Sequence, residues 1–407
     1  MGENMVPISH ITNIVLGGTP KRNNPGYWGG QIKWASAKDV VNTNTRYIFD
    51  TEETITALGL NESNTKLLPK DTIVITARGT VGSMAMLGEP MCFNQTCYGL
   101  TAKEGVDQTY LFFALKASIA NIHSVSYGTV FNTITMKSFD SIEIPLPSIE
   151  EQQRIADILG TLDDKIELNR QMNHTLEAMA RAIFKSWFVD FDPVYAKIEG
   201  REYPLPSDVM DLFPDELVES ELGLIPKGWK VGELKDGFNL TMGQSPPGST
   251  YNEDEDGLPF YQGRRDFGFR YPALRVYCNA PKRIANPNDS LVSVRAPVGD
   301  LNMAKEKCCI GRGVAAVRHK TGSASFTYYS MLKLKDYFNL FESEGTVFGS
   351  IGKKDFEGLE VIMPPNEMVK AFEEIVGIFD KKIENDSLEI DTLVKIRDTL
   401  LHELMNG

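Results

Sequence analysis

Ser148-Ile149-Glu150-Glu151-Gln152-Gln153-Arg154-Ile155 opens a run to Trp187 in which Ile155, Leu159, Leu162, Ile166, Leu176, Ile183 and Trp187 fall at alternating four- and three-residue steps. Asn169, Asn173 and Ala180 fill the remaining positions of the seam, a heptad pattern that predicts a long amphipathic helix. Adding 217 to each number lands on Phe372, Val376, Phe379, Ile383, Leu393, Leu400 and Leu404, with Asp386, Ile390 and Arg397 where the first copy has Asn, Asn and Ala. No gap is needed, so the chain is read as a duplication.

The repeat extends upstream. Gly128-Thr129-Val130-Phe131 recurs as Gly345-Thr346-Val347-Phe348, and Lys137, Phe139, Glu143 and Pro147 as Lys354, Phe356, Glu360 and Pro364. Arg78-Gly79-Thr80-Val81-Gly82 answers to Arg295-Ala296-Pro297-Val298-Gly299, and Cys92 to Cys309, still 217 apart. Pro69 and Asp71 match Pro287 and Asp289 after one inserted residue, and before that the copies have drifted apart.

A length of 407 residues suits two domains plus connecting helices. With 42% hydrophobic and 24% charged residues the composition is that of a soluble globular protein, and no apolar run approaches a membrane span. The opening Met1-Gly2-Glu3-Asn4-Met5 lacks the regions of a signal peptide, so a cytoplasmic location is expected. Five cysteines, at 92, 97, 278, 308 and 309, form no Cys-x-x-Cys pair and read as buried reduced thiols. The net charge of −13 argues against nucleic acid only until it is mapped. Residues 1–147 and 221–364 carry −1 and +2, whereas 148–220 and 365–407 carry −9 and −5. The acid belongs to the helices and linker.

Five segments follow: a globular domain at 1–147, a helix at 148–192, an acidic linker at 193–220, a second globular domain at 221–364 and a second helix at 365–407. In the first domain, strands are expected at 71–76 and 142–146, a helix at 110–122, and turns at Gly17-Gly18, Gly29-Gly30 and 79–82. Gly18-Thr19-Pro20 with Tyr27-Trp28 and Trp34 forms either an exposed binding loop or a loop pinned by buried aromatics. Ser148 and Glu151 have capping-box spacing. The seam, about 50 Å long at ~1.5 Å per residue, needs a partner, and the second helix packed antiparallel is the natural one. Polar Asn169, Asn173, Asp386 and Arg397 would fix register, and Gly160 and Gly377 are the expected breaks. The fold class expected is α+β: two similar globular domains separated by an antiparallel coiled-coil spacer with a pseudo-twofold internal repeat.

In the second domain, Arg264, Arg265, Arg270, Arg275, Lys282 and Arg283 interleave with Phe267, Phe269, Tyr271 and Tyr277, a pattern that suits phosphate and base contacts or an ordinary solvated surface. No phosphate-loop, zinc or nucleophile-elbow spacing occurs, and Ser245-Pro246-Pro247-Gly248 lacks the aromatic residue of an amino-methyltransferase motif and reads as a turn. Catalysis by this chain alone is not expected.

Pro-Leu-Pro-Ser-Ile-Glu-Glu-Gln-Gln-Arg-Ile-Ala (145–156), Leu-Asp-Asp-Lys-Ile-Glu-Leu-Asn (162–169) and Ile-Phe-Lys-Ser-Trp-Phe-Val-Asp-Phe-Asp-Pro (183–193), in a domain–helix–domain–helix order, resemble the specificity subunits of type I restriction-modification enzymes. The resemblance spans the chain and is strongest in the helices. It implies two target recognition domains, each reading half of a split duplex-DNA sequence. It implies helices that bind two modification (methyltransferase) subunits, and a restriction (endonuclease and translocase) subunit joining the complex. Adenine N6 methylation would use S-adenosylmethionine held by the modification subunit, with ATP and Mg in the restriction subunit and no cofactor in this chain. A coiled-coil scaffold that never touches DNA is the alternative.

Candidate DNA-contacting residues are Arg78, Thr80, Asn94, Gln95 and Thr129 in the first domain and Arg264, Arg265, Arg270, Arg295 and Arg312 in the second. Asn94 and Gln95 suit adenine, and Arg312, which aligns with Gln95, suits guanine. The repeated Arg-x-x-Val-Gly and Gly-Thr-Val-Phe turns serve either DNA contact or folding alone. Candidate partner contacts are Gln152, Gln153, Trp187 and Phe188, with Trp187 equally able to close the end of the seam.

Overall fold

The computed structural model describes residues 5–43, 45–125, 133–338 and 349–406. It divides into two compact units, Met1–Gln171 with Asp386–Gly407, and Met172–Asn385. Both boundaries fall inside long helices, Ile149–Phe188 and Asn366–Asn406.

In the first unit a five-stranded sheet runs Thr12–Leu16, Cys97–Ala102, Ile73–Thr76, Met84–Leu87, Tyr47–Ile48 in spatial order. Ile73–Thr76 is buried at every position because the sheet is covered on both faces. The helix Gln108–Val125 contributes Tyr110, Leu111, Phe112, Phe113, Ala114 and Leu115 to the core beneath it. Met5–Pro7 pairs with Glu143–Pro145 just before the first long helix begins.

The second unit repeats this plan. Strands Ile73–Thr76 and Cys97–Ala102 recur 217 residues later as Ser290–Ser293 and Val314–His319, paired in the same antiparallel register. The correspondence also survives where the sequences have drifted. Thr12 pairs with Ala102 as Phe238 pairs with His319, and Trp34 runs parallel to Cys92 as Phe260 does to Cys309. There the offset is 226 (12 to 238, 34 to 260), so nine residues fewer separate these strands from the next in the second copy.

Every seam position of both helices is buried or half-buried, as a heptad seam requires. In the first unit Asp163 meets Arg397 at 2.7 Å and Asn169 meets Glu389 at 2.9 Å, so the helical segments run antiparallel there. In the second unit the Trp187 and Phe372 rings sit 6.0 Å apart at the same end. Asn169 and Arg397 thus act as register pins, while Asn173 and Asp386 are buried.

Four local expectations need correction. Gly160 and Gly377 do not interrupt their helices: one glycine costs only about 1 kcal/mol, and packing along the seam outweighs it. At Gly160 the missing side chain makes room for Arg46, whose Nη1 would lie 2.8 Å from a Cβ. Gly29-Gly30 is an irregularity inside the strand Trp28–Ala35, whose register to Glu53–Ile55 shifts between Trp28 and Ile32. The Glu151 carboxylate closes on Arg154 at 2.6 and 2.8 Å, although Ser148 does accept the Glu151 amide at 3.4 Å. Residues 193–220, expected as a linker, carry the helix Asp192–Glu199 and the strand Leu217–Ser220, with Val194 and Phe213 buried in the second unit's core.

Candidate nucleic-acid interface

In the first unit, the strand Ile73–Thr76 ends in a turn locked by one hydroxyl. Thr76 Oγ1 donates to the Thr80 carbonyl and accepts the Ser83 amide at 3.1 Å, while the Gly82 amide returns to Thr76 O at 2.9 Å. Arg78 and Thr80 are exposed at its tip. The Ala77 amide donates to Thr96 O at 2.8 Å, which fixes this turn beside a second one, Asn94-Gln95-Thr96. Gln95 is exposed there, and Thr19 donates its hydroxyl to the Gln95 side-chain oxygen. An open groove of about 820 Å³ runs from Leu16 and Gly18 past Thr65 and Lys66 to Gln95. Gly17 permits the approach, because a Cβ would stand 2.1 Å from the Asn94 carbonyl oxygen.

The second unit builds the same pair of turns. Ser293 Oγ donates to the Pro297 carbonyl and accepts the Asp300 amide, both at 2.8 Å, and Gly299 N returns to Ser293 O at 2.9 Å. Val294 N donates to Gly313 O at 2.9 Å, as Ala77 does to Thr96. A Cβ on Gly243 would meet the Gly311 carbonyl at 2.1 Å, the counterpart of Gly17 on Asn94. Arg295 and Arg312 are exposed on these turns, and the Arg312 amide points to Ser245 Oγ at 3.3 Å.

The candidate residues therefore divide. Arg78, Thr80 and Gln95 are brought together in one unit, and Arg295 and Arg312 occupy equivalent turns in the other. Asn94 is half-buried and its side-chain oxygen closes its own turn on the Thr96 amide and hydroxyl, at 3.1 and 2.7 Å, so it is not poised for a two-pronged adenine contact. Thr129 lies outside the described residues, as do both Gly-Thr-Val-Phe segments.

The Arg-aromatic stretch is only partly a surface. Arg264 and Arg265 are exposed beside a pocket of about 480 Å³ whose lining also holds Arg181, Lys335, Phe267 and Phe269. Arg264 is paired with Asp300, and Arg275 with Asp266 at 2.8 Å. Arg270 is a correction: 2% exposed, it lies 3.0 Å from Asp380 and 3.4 Å from Glu177, donates to Tyr329 Oη at 2.9 Å and covers the Tyr328 ring at 3.9 Å. Burial opposes its charge, but Tyr328, Asp380, Tyr329 and Glu177 outweigh that and hold its pKa above the ordinary value. It is a structural clamp, not a DNA contact.

Three of the four candidate partner contacts are also interior. Trp187 and Phe188 are 1% and 7% exposed within the second unit's aromatic core. Gln152 is 1% exposed: its Oε1 accepts the Asp107 amide at 2.9 Å and its Nε2 donates to Pro147 O at 2.9 Å. Gln153 alone of the four is exposed. Gln152→Leu fills the same space but strands those backbone groups, so it should lower unfolding stability by about 1–3 kcal/mol, read as the shift of a urea denaturation curve.

Sequence reading missed Thr19 and Ser245 as partners of the turns. The available signal was Gly17-Gly18-Thr19-Pro20 against Gly243-Gln244-Ser245-Pro246, visible only at the offset of 226. The five cysteines are buried and unbridged, and burial raises Cys97 and Cys308 to about 12, which keeps these thiols protonated. Among the described residues no cluster of three or more His, Cys, Asp or Glu could hold a metal, and no helix is long and apolar enough to cross a membrane.

Comparison with known proteins bears on both units. Residues 3–178 and 226–394 match the family described as type I restriction modification DNA specificity domain. The chain is 27% identical to the type I restriction enzyme MjaIX specificity subunit of Methanocaldococcus jannaschii, over 98% of this chain and 92% of that protein. It is 30% identical to the HindI specificity subunit of Haemophilus influenzae, over 69% of this chain and 72% of that one. A crystal structure of a type I restriction-modification S subunit from M. genitalium shares the fold, with a TM-score of 0.60 at 16% identity over 100% of this chain and 97% of that one.

Proposed function

This chain belongs to the type I restriction-modification DNA specificity family, and on that premise we propose that it is the subunit that selects the DNA site and supplies no catalytic group. Each unit reads one half of a bipartite, asymmetric duplex target. Two modification subunits methylate adenine N6 using S-adenosylmethionine, on a base taken out of the stack. Restriction subunits, with ATP and Mg, complete the complex in the cytoplasm. The observation that carries the reading is the duplicated pair of turns, built by the same backbone hydrogen bonds in both units yet displaying Gln95 in one and Arg312 in the other. A folding motif alone has no need to vary its exposed tip; a reader of two different sequences does.

Binding to duplex DNA should weaken steeply with salt, by about 0.9 in the log–log slope for each phosphate contacted. The deciding experiment co-expresses the chain with a candidate modification subunit in cells lacking adenine methylation and maps modified adenines across the genome. One split motif with a constant unspecified gap is expected. A stable complex with active methyltransferase but no motif would leave the chain a coiled-coil scaffold.

A further inference from the structure

We infer that residue 95 in the first unit and residue 312 in the second are one equivalent base-reading position, held by the hydroxyls of Thr19 and Ser245, and that Arg78 and Arg295 are its sequence-independent phosphate partners. The inference rests on the reading above and assigns that site its residues.

Equivalence comes from the frame beneath the side chains. Residues 94 and 311 each donate their amide to a strand carbonyl, Asn94 N to Ala35 O at 3.0 Å and Gly311 N to Tyr261 O at 2.9 Å. Their own carbonyls face the bare Cα of Gly17 and Gly243 at one and the same distance, 2.1 Å from a built Cβ. The neighbouring turns are tied in by Ala77 to Thr96 and Val294 to Gly313. Residues 95 and 312 thus leave matching backbones, and each has a hydroxyl residue, two positions after the glycine, within hydrogen-bond reach.

The hydroxyl has a different task in each unit. Gln95's amide oxygen carries two lone pairs; Thr19 occupies one and orients the amide plane, leaving the second and the NH₂ for an adenine edge. In the second unit Ser245 takes the Arg312 amide at 3.3 Å and exchanges hydrogen bonds with Gln262 at 2.9 and 3.0 Å, so it holds the turn while the guanidinium stays outside. Arg312 is exposed, and a guanidinium fork matches guanine O6 and N7. The adjacent turn supports the division of labour. It carries arginine in both units, at 78 and 295, and a residue common to two readers of different sequences fits the phosphate backbone, which carries no sequence information.

The test uses the chain complexed with its modification subunit and maps methylated adenines for wild type, Q95R, Q95A, T19A and R312Q. Q95R should change one base pair of one half-site from A·T to G·C, and R312Q should change one base pair of the other half-site from G·C to A·T. Both changes should fall at the same distance from the gap. Q95A and T19A should relax that first position without altering any other, with discrimination there falling about 5- to 150-fold. Unchanged motifs in Q95R and Q95A complexes that still methylate, or changes in the opposite half-site, overturn the inference. If the wild-type complex yields no split motif, the failure belongs to the functional reading instead. Q95A also covers the case in which the Q95R complex assembles but methylates nothing: relaxation in Q95A then supports the assignment, and an unchanged motif refutes it.

Discussion

Arg270→Ala should destabilise the protein by about 3–5 kcal/mol, the cost of removing one partner from a buried ionic cluster. The guanidinium sits between Glu177 of the first long helix and Asp380 of the second, whose side chains are 4% and 14% exposed. Without it, among the described residues Glu177 keeps Arg181 and Asp380 keeps the Tyr329 hydroxyl at 3.1 Å, so two carboxylates remain shielded from water with too little positive charge. The Tyr328 face also loses the cation that covers it at 3.9 Å. Chemical denaturation reads the effect directly, and two comparisons sharpen it. Arg265→Ala, which removes an exposed arginine from the same stretch, should shift stability by no more than about 0.5 kcal/mol. Combining Arg270→Met with Glu177→Gln and Asp380→Asn should recover most of the loss, because it removes the charges together. A small effect of Arg270→Ala alone would return Arg270 to the surface.

The first unit has a similar tie. Arg46, whose side chain is 8% exposed, reaches Asp164 of the first long helix at 2.5 Å and lies 5.0 Å from the Tyr47 ring. In each unit, then, a globular segment is fastened to a long helix by one enclosed arginine. Asn302 and Met303 bond the backbone at Gly268 and Arg270, at 2.9 Å each, so the second unit's clamp also steadies the loop that carries Arg264 and Arg265.

What could be read from the sequence depended on how far each residue's environment is local. The seam was legible because helix geometry alone decides which residues line up, and the heptad fell on the buried side at every position. Extending its steps back by three from Ile155 also reaches Gln152, so the burial of that glutamine was implicit in the same pattern. Arg264 and Arg270 look alike in sequence, and only the long-range meeting with Glu177 and Asp380 separates them. The paired turns were half legible. Arg78 and Arg295 stood out at the offset of 217, but Thr19 and Ser245, the partners of Gln95 and Arg312 on the adjacent turns, were hidden by a length difference between the copies, which a sheet absorbs in its connections without changing its register.

Trp187→Ala should cost about 3–5 kcal/mol, and that number separates two roles which the sequence left open. An indole anchoring a partner would be exposed in the isolated chain, so its loss would spare stability and weaken only association. Here the ring is 1% exposed, edge-on to Phe213 at 5.2 Å and 6.0 Å from Phe372, with Phe188 at 6.0 Å. Phe213 comes from the segment expected as a linker and Phe372 from the second long helix, so this one side chain joins three parts of the second unit. Truncating it opens a cavity that Phe372 and Phe188 do not move to fill, since both are held by further ring contacts of their own, to Phe184 and to each other. Trp187→Phe, which keeps an aromatic face, should lose markedly less. Calorimetric or urea unfolding of both variants, set beside capture of the modification subunit, gives the decision. Lost stability with capture retained at temperatures below the new midpoint fits a core residue, whereas intact stability with lost capture places the indole at the interface.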